Sequence, residues 1–150
     1  MALKETISEH IKTAMKNGDK LRLETLRTMR AALMEKEIEL RGSHKQVTPE
    51  DEIATLMSAA KKRKESIEQF QAAGRMELVE QETAELKIIQ EYLPKQMGEE
   101  EIQSVIEEVV KSTGASSAAD FSKVMPQVMK QLKGKADGKL IQELVKKKLG

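Results

Sequence analysis

The chain has 150 residues, of which 39% are apolar, 34% charged and 2% aromatic, enough for one ordinary domain or a medium bundle with a small appendage. It contains no cysteine, which excludes disulfides, thiolate metal sites and thiol catalysis. The net charge of +1 hides an uneven distribution: residues 1–70 hold 14 Lys and Arg against 12 Asp and Glu, residues 71–110 hold 3 against 10, and residues 111–150 hold 9 lysines against 3 acids.

Lys and Glu are good helix formers, and only 3 prolines and 8 glycines interrupt them. An all-α fold follows. Its core must come from Leu, Ile, Val, Ala and the 9 methionines, side chains that pack adaptably between helices. The N-terminus carries Lys4, Glu5, Glu9 and Lys12 where a secretory signal would place an apolar run. No stretch approaches the ~20 apolar residues that span a bilayer. A cytoplasmic protein without a membrane partner is the expectation.

The first helix is predicted over 2–16, with Leu3, Ile7, Ile11, Ala14 and Met15 on its buried face. Gly18 suits a left-handed stop and Asp19 a cap for the next helix. That second helix, 20–41, buries Leu26, Met29, Leu33 and Leu40, and Gly42 should end it before a polar loop containing His44. Thr48, Pro49, Glu50 and Asp51 form a strong helix start: a cap, a proline where its missing N–H costs nothing, and acids facing the helix dipole. The third helix should use Ile53, Leu56, Met57, Ala60, Ile67 and Phe70 and stop at Gly74. A fourth, 76–92, uses Leu78, Leu86, Ile89 and Leu93, and Pro94 limits it.

Residues 94–98 read as the domain boundary, between an N-terminal helical domain over 1–94 and a C-terminal three-helix domain over 98–150. Helices are predicted at 99–112, 117–132 and 137–149, each with its own apolar stripe. Pro126 should kink or divide the middle one.

Motifs for catalysis are missing. His10 and His44 have no ligand-spaced partner. Glu50, Asp51 and Glu52, like Glu99, Glu100 and Glu101, open helices, where the dipole accounts for acids and consecutive residues point apart. No phosphate-cradling Gly-rich loop, metalloprotease helix or nucleophile elbow occurs. No catalytic residue, metal ligand or cofactor is expected.

The basic features differ in what they require. Lys61, Lys62, Arg63 and Lys64 are followed by Glu65 and Glu68 at helix-pair spacing, and Lys146, Lys147 and Lys148 occupy a last helical turn, where the dipole favours cations. By contrast, Lys135 and Lys139 flank the start of the final helix, with Lys130 and Lys133 just before it. The dipole prefers acids there, while helix-start amides favour an anion, so Lys130, Lys133, Lys135 and Lys139 are candidate phosphate contacts. Arg27 and Arg30 share a face of the second helix and are further candidates; pairing with a neighbouring helix is their structural alternative.

Several segments together carry a resemblance. Leu26-Arg27-Thr28-Met29-Arg30-Ala31-Ala32-Leu33, Lys64-Glu65-Ser66-Ile67-Glu68-Gln69-Phe70 with Gly74-Arg75, Tyr92-Leu93-Pro94, and Leu132-Lys133-Gly134-Lys135-Ala136-Asp137-Gly138-Lys139-Leu140 occur in order along the chain. In these the chain resembles the GatB/YqeY family, and among its members the stand-alone YqeY-like proteins. It is similar to the helical and tail region of the B subunit of the tRNA-dependent amidotransferase, which converts Glu-tRNA(Gln) or Asp-tRNA(Asn) to the amidated form. The resemblance implies a multihelical N-terminal domain and a three-helix tail. It also implies a region that contacts tRNA, while ammonia production and substrate activation lie in parts of that enzyme with no counterpart here. The expected function is thus a module binding tRNA or another structured RNA. The alternatives are an accessory subunit of a carbon–nitrogen ligase with glutamine as amido donor, or a helical adaptor for a translation-related protein partner. Gly98 departs from the pattern where Ser or Thr would cap better. The identity of the partner and the oligomeric state stay open at this level.

Overall fold

The computed structural model describes Ala2–Gly150. Among these residues it contains seven α-helices and one 3-10 turn and no strand, and the chain divides after Leu93 into two compact units.

The N-terminal unit is built from α1 (Leu3–Asn17), α2 (Lys20–Gly42), α3 (Pro49–Ala72) and α4 (Met76–Gln90). Local chemistry sets most boundaries. Gly18 takes the left-handed conformation at φ 68° after α1, which costs a residue without Cβ nothing. The Asp19 carboxylate accepts from the Arg22 amide at 3.1 Å to start α2. At α3 the reciprocal capping box is complete: the Asp51 amide donates to the Thr48 hydroxyl at 3.1 Å, and the Thr48 amide donates to the Asp51 carboxylate at 2.9 Å. Helix α1 packs on α2, α3 on α4, and α2 touches both α3 and α4. The shared core holds Ile7, Ile11, Leu26, Met29, Leu33, Leu56, Ile88 and Ile89.

Three expectations need correction in this unit. Met15 is 57% exposed and Ala14 takes the buried position, because a step of four residues overshoots the 3.6-residue turn and drifts off the core face by the fourth repeat. Gly42 does not stop α2: it is the last helical residue, and His44 takes the left-handed conformation at φ 58° instead. The stripe of α4 centres on Val79, Ile88 and Ile89, with Glu85 buried among them at 7% exposure. Glu85 meets Arg63 of α3 at 2.5 Å, and Glu82 meets the same guanidinium at 2.9 Å. Near the end of the unit the half-buried Tyr92 hydroxyl hydrogen-bonds His10 Nδ1 of α1, and Arg22 of α2 pairs with Glu91 at 2.9 Å.

The C-terminal unit contains α5 (Glu99–Thr113), the 3-10 turn Ala118–Asp120, α6 (Phe121–Leu132) and α7 (Gly138–Leu149). Ile102, Ile106 and Val109 of α5 meet Val124, Val128 and Leu132 of α6 and Ile141, Leu144, Val145 and Leu149 of α7 in one apolar cluster. Each such side chain contributes about 1.5–3 kcal/mol relative to exposure, which chain entropy largely offsets in so small a unit. Pro126 lies inside a continuous α6 and does not divide it. The break comes earlier, at Asp120, whose carboxylate accepts from the amides of Ser116 and Ser117 at 2.9 and 3.3 Å and ties the approach into a 3-10 turn. The carbonyl that Pro126 leaves without its usual helical amide partner belongs to Ser122, an exposed residue.

Among the described residues, no helix is long and apolar enough to cross a membrane.

Candidate nucleic-acid interface

Helix α6 ends because Lys133 leaves the helical region, at φ −56° and ψ 124°, and Gly134 follows at φ 81°. The Lys135 amide donates back to the Leu132 carbonyl at 2.9 Å, and Ala136 is buried against the apolar cluster. The resulting turn is tight, and its glycine supplies the left-handed step. Lys133 and Lys135 are exposed on either side of that glycine. Lys130 is exposed in the last turn of α6, and Lys139 is exposed in the first turn of α7.

The four sequence-predicted lysines therefore share one corner of the C-terminal unit. None of them forms an ion pair with another described residue. Lys130 and Lys133 lie where the C-terminal end of the α6 dipole favours cations. Lys135 and Lys139 have no such account: Asp137 stands at the N-cap of α7, its side chain makes no capping hydrogen bond, and the first turn contains no acid. The anticipated cap is thus present in position but not in side-chain geometry.

Two of the three lysines in the last α7 turn, Lys146 and Lys148, behave differently. Lys146 lies over the Phe121 ring at 5.9 Å from its centroid, and Lys148 reaches Glu107 of α5 at 3.6 Å. Both contact another element of the unit.

A short strap fixes the turn. The Gln96 side-chain amide donates to the carbonyl oxygens of Pro94 at 2.8 Å and Gly134 at 2.9 Å. The next residue, Met97, donates its amide to the Lys135 carbonyl at 2.9 Å and packs its side chain on the apolar cluster. Sequence reading takes residues 94–98 only as a boundary. Nothing local announces the two bonds to the α6–α7 turn, since each joins residues 38 apart.

Arg27 and Arg30 belong to α2 of the N-terminal unit. Arg27 is exposed and pairs with Glu24 at 3.0 Å on its own helix, one turn back, so the neighbouring-helix pairing considered for it does not occur. Arg30 is half-buried. The same unit contains a groove of about 520 Å³ lined by small side chains such as Ala32, Ser58 and Ala59, by charged ones such as Glu35 and Lys62, and by Ile89. Among the described residues no cluster of His, Asp or Glu could hold a metal ion.

No curated protein matches the chain. The family model described as Yqey-like protein matches residues 4–149, and the chain belongs to that family.

Proposed function

We propose that this chain is a cytoplasmic RNA-binding module, with tRNA or another structured RNA as its partner, that grips phosphates through the basic corner of its C-terminal unit and performs no catalysis by itself. The observation that carries the reading is the state of Lys130, Lys133, Lys135 and Lys139: exposed, without ion pairs among the described residues, and gathered around one hydrogen-bonded turn. Two of them stand at a helix start that the dipole would reserve for acids. With Phe70, Tyr92 and Phe121 as the aromatic residues, base stacking cannot dominate. Shape and phosphate contacts are left, which predicts salt-sensitive binding with little sequence preference.

The test is a gel shift of tRNA with the unaltered chain and with Lys133→Glu/Lys135→Glu/Lys139→Glu. The triple variant is expected to lose most of the affinity and to show a shallower dependence on salt. Equal affinity and equal slope would remove the corner from the account.

A second reading, a helical adaptor for a translation-related protein, draws support from the groove of the N-terminal unit. Partners retained by the tagged chain after nuclease treatment of a lysate would favour it, and their loss would favour RNA.

A further inference from the structure

We infer that Lys95 is a fifth phosphate-contacting cation of the same corner, an inference that rests on the RNA-binding reading above. Lys95 stands in the acidic middle of the chain, where 10 acids face 3 basic residues between 71 and 110, so local charge gives no reason to group it with the lysines of the tail. The strap does. The Gln96 side-chain amide bonds back across Lys95 to the Pro94 carbonyl, and the same amide group holds the Gly134 carbonyl. One residue on, Met97 is bonded to the Lys135 carbonyl. Lys95 is therefore anchored through its neighbours to the turn that displays Lys133 and Lys135. It is exposed and makes no ion pair with another described residue. A backbone held on both sides lets an ammonium group meet a phosphate with little ordering cost beyond its own side chain.

The experiment measures binding of unfractionated tRNA over a range of salt concentrations, using the full chain and its Lys95→Gln, Lys95→Arg and Lys87→Gln variants. Lys87, exposed on α4, controls for the loss of any one positive charge. Each phosphate contact adds roughly 0.7–0.9 to the slope of log affinity against log salt. Lys95→Gln is expected to lower the slope by about that amount and to weaken binding severalfold at low salt. Lys95→Arg should keep both, and Lys87→Gln should leave the slope unchanged. An unaltered slope in Lys95→Gln, or an equal loss in Lys87→Gln, overturns the assignment while leaving the RNA-binding reading in place. Failure of the unaltered chain to bind tRNA at any salt overturns both.

Discussion

Arg63 on α3 and Glu85 on α4 meet at 2.5 Å inside the N-terminal unit, with Glu85 side-chain exposure of 9% and Arg63 of 23%. Glu82, one turn before Glu85, shares the same guanidinium. The charged groups lie between helices that also pack through apolar residues, so the guanidinium offsets two carboxylates that are mostly removed from water. Removing the cation alone leaves a buried charge without its partner. Arg63→Met is expected to destabilise the unit by about 3 kcal/mol, read as a fall in the urea midpoint with an unchanged slope. Adding Glu85→Leu should restore part of that loss, because it removes the more buried of the two carboxylates.

Gly134→Ala tests the turn between α6 and α7. A Cβ in the left-handed region costs roughly 1–2 kcal/mol, and Gly134 sits at φ 81°. The substitution should lower the unfolding midpoint of the C-terminal unit. If the turn also presents lysines to RNA, tRNA affinity should fall with it although no charge has changed. Binding by gel shift and unfolding by circular dichroism separate the two effects.

Asp120 gives the C-terminal unit a defined acid sensitivity. The amide of Ser116, then that of Ser117, donate to its carboxylate and hold its pKa below the ordinary 3.8. A depressed pKa means that the folded state favours the ionised form. The contribution is therefore complete above the unfolded carboxylate's pKa and is lost as pH falls through the lower, folded value. Protection of the Ser116 and Ser117 amides from hydrogen exchange should decline over that acid interval. In Asp120→Asn, that part of the pH dependence should vanish.

The division after Leu93 leads to a further expectation. Each unit buries its own apolar cluster, so a fragment spanning Pro94–Gly150 should fold alone, with a cooperative thermal transition by circular dichroism. A featureless, gradual melt would show that the second unit depends on the first. The margin is small at this size, and a midpoint below that of the full chain is expected.

The parts of this fold legible in the sequence are those written in local chemistry. Asp19 and Thr48 cap where their side chains can reach amides three residues on, and Gly18 and Gly74 mark ends where a left-handed residue is required. What escaped depends on partners distant in the chain. Glu85 looks like any surface acid until Arg63 approaches from α3, and Gln96 looks like linker until Gly134 accepts its amide. Pro126 misleads for a related reason: its cost depends on whether the orphaned Ser122 carbonyl meets water or protein. For the candidate interface, Lys135 and Lys139 could be picked out because they contradict the helix dipole. Lys95 contradicts nothing locally and becomes noticeable only through the strap.

The contact between Tyr92 and His10 has a consequence for how the molecule can be watched. With one tyrosine and no tryptophan, near-ultraviolet absorbance and intrinsic emission come chiefly from a residue in the N-terminal unit. The unit bearing the basic corner is almost silent at those wavelengths. An emission-monitored melt would thus report the first unit alone, and any mismatch with a backbone-detected melt would measure, without labels, how independently the two units unfold.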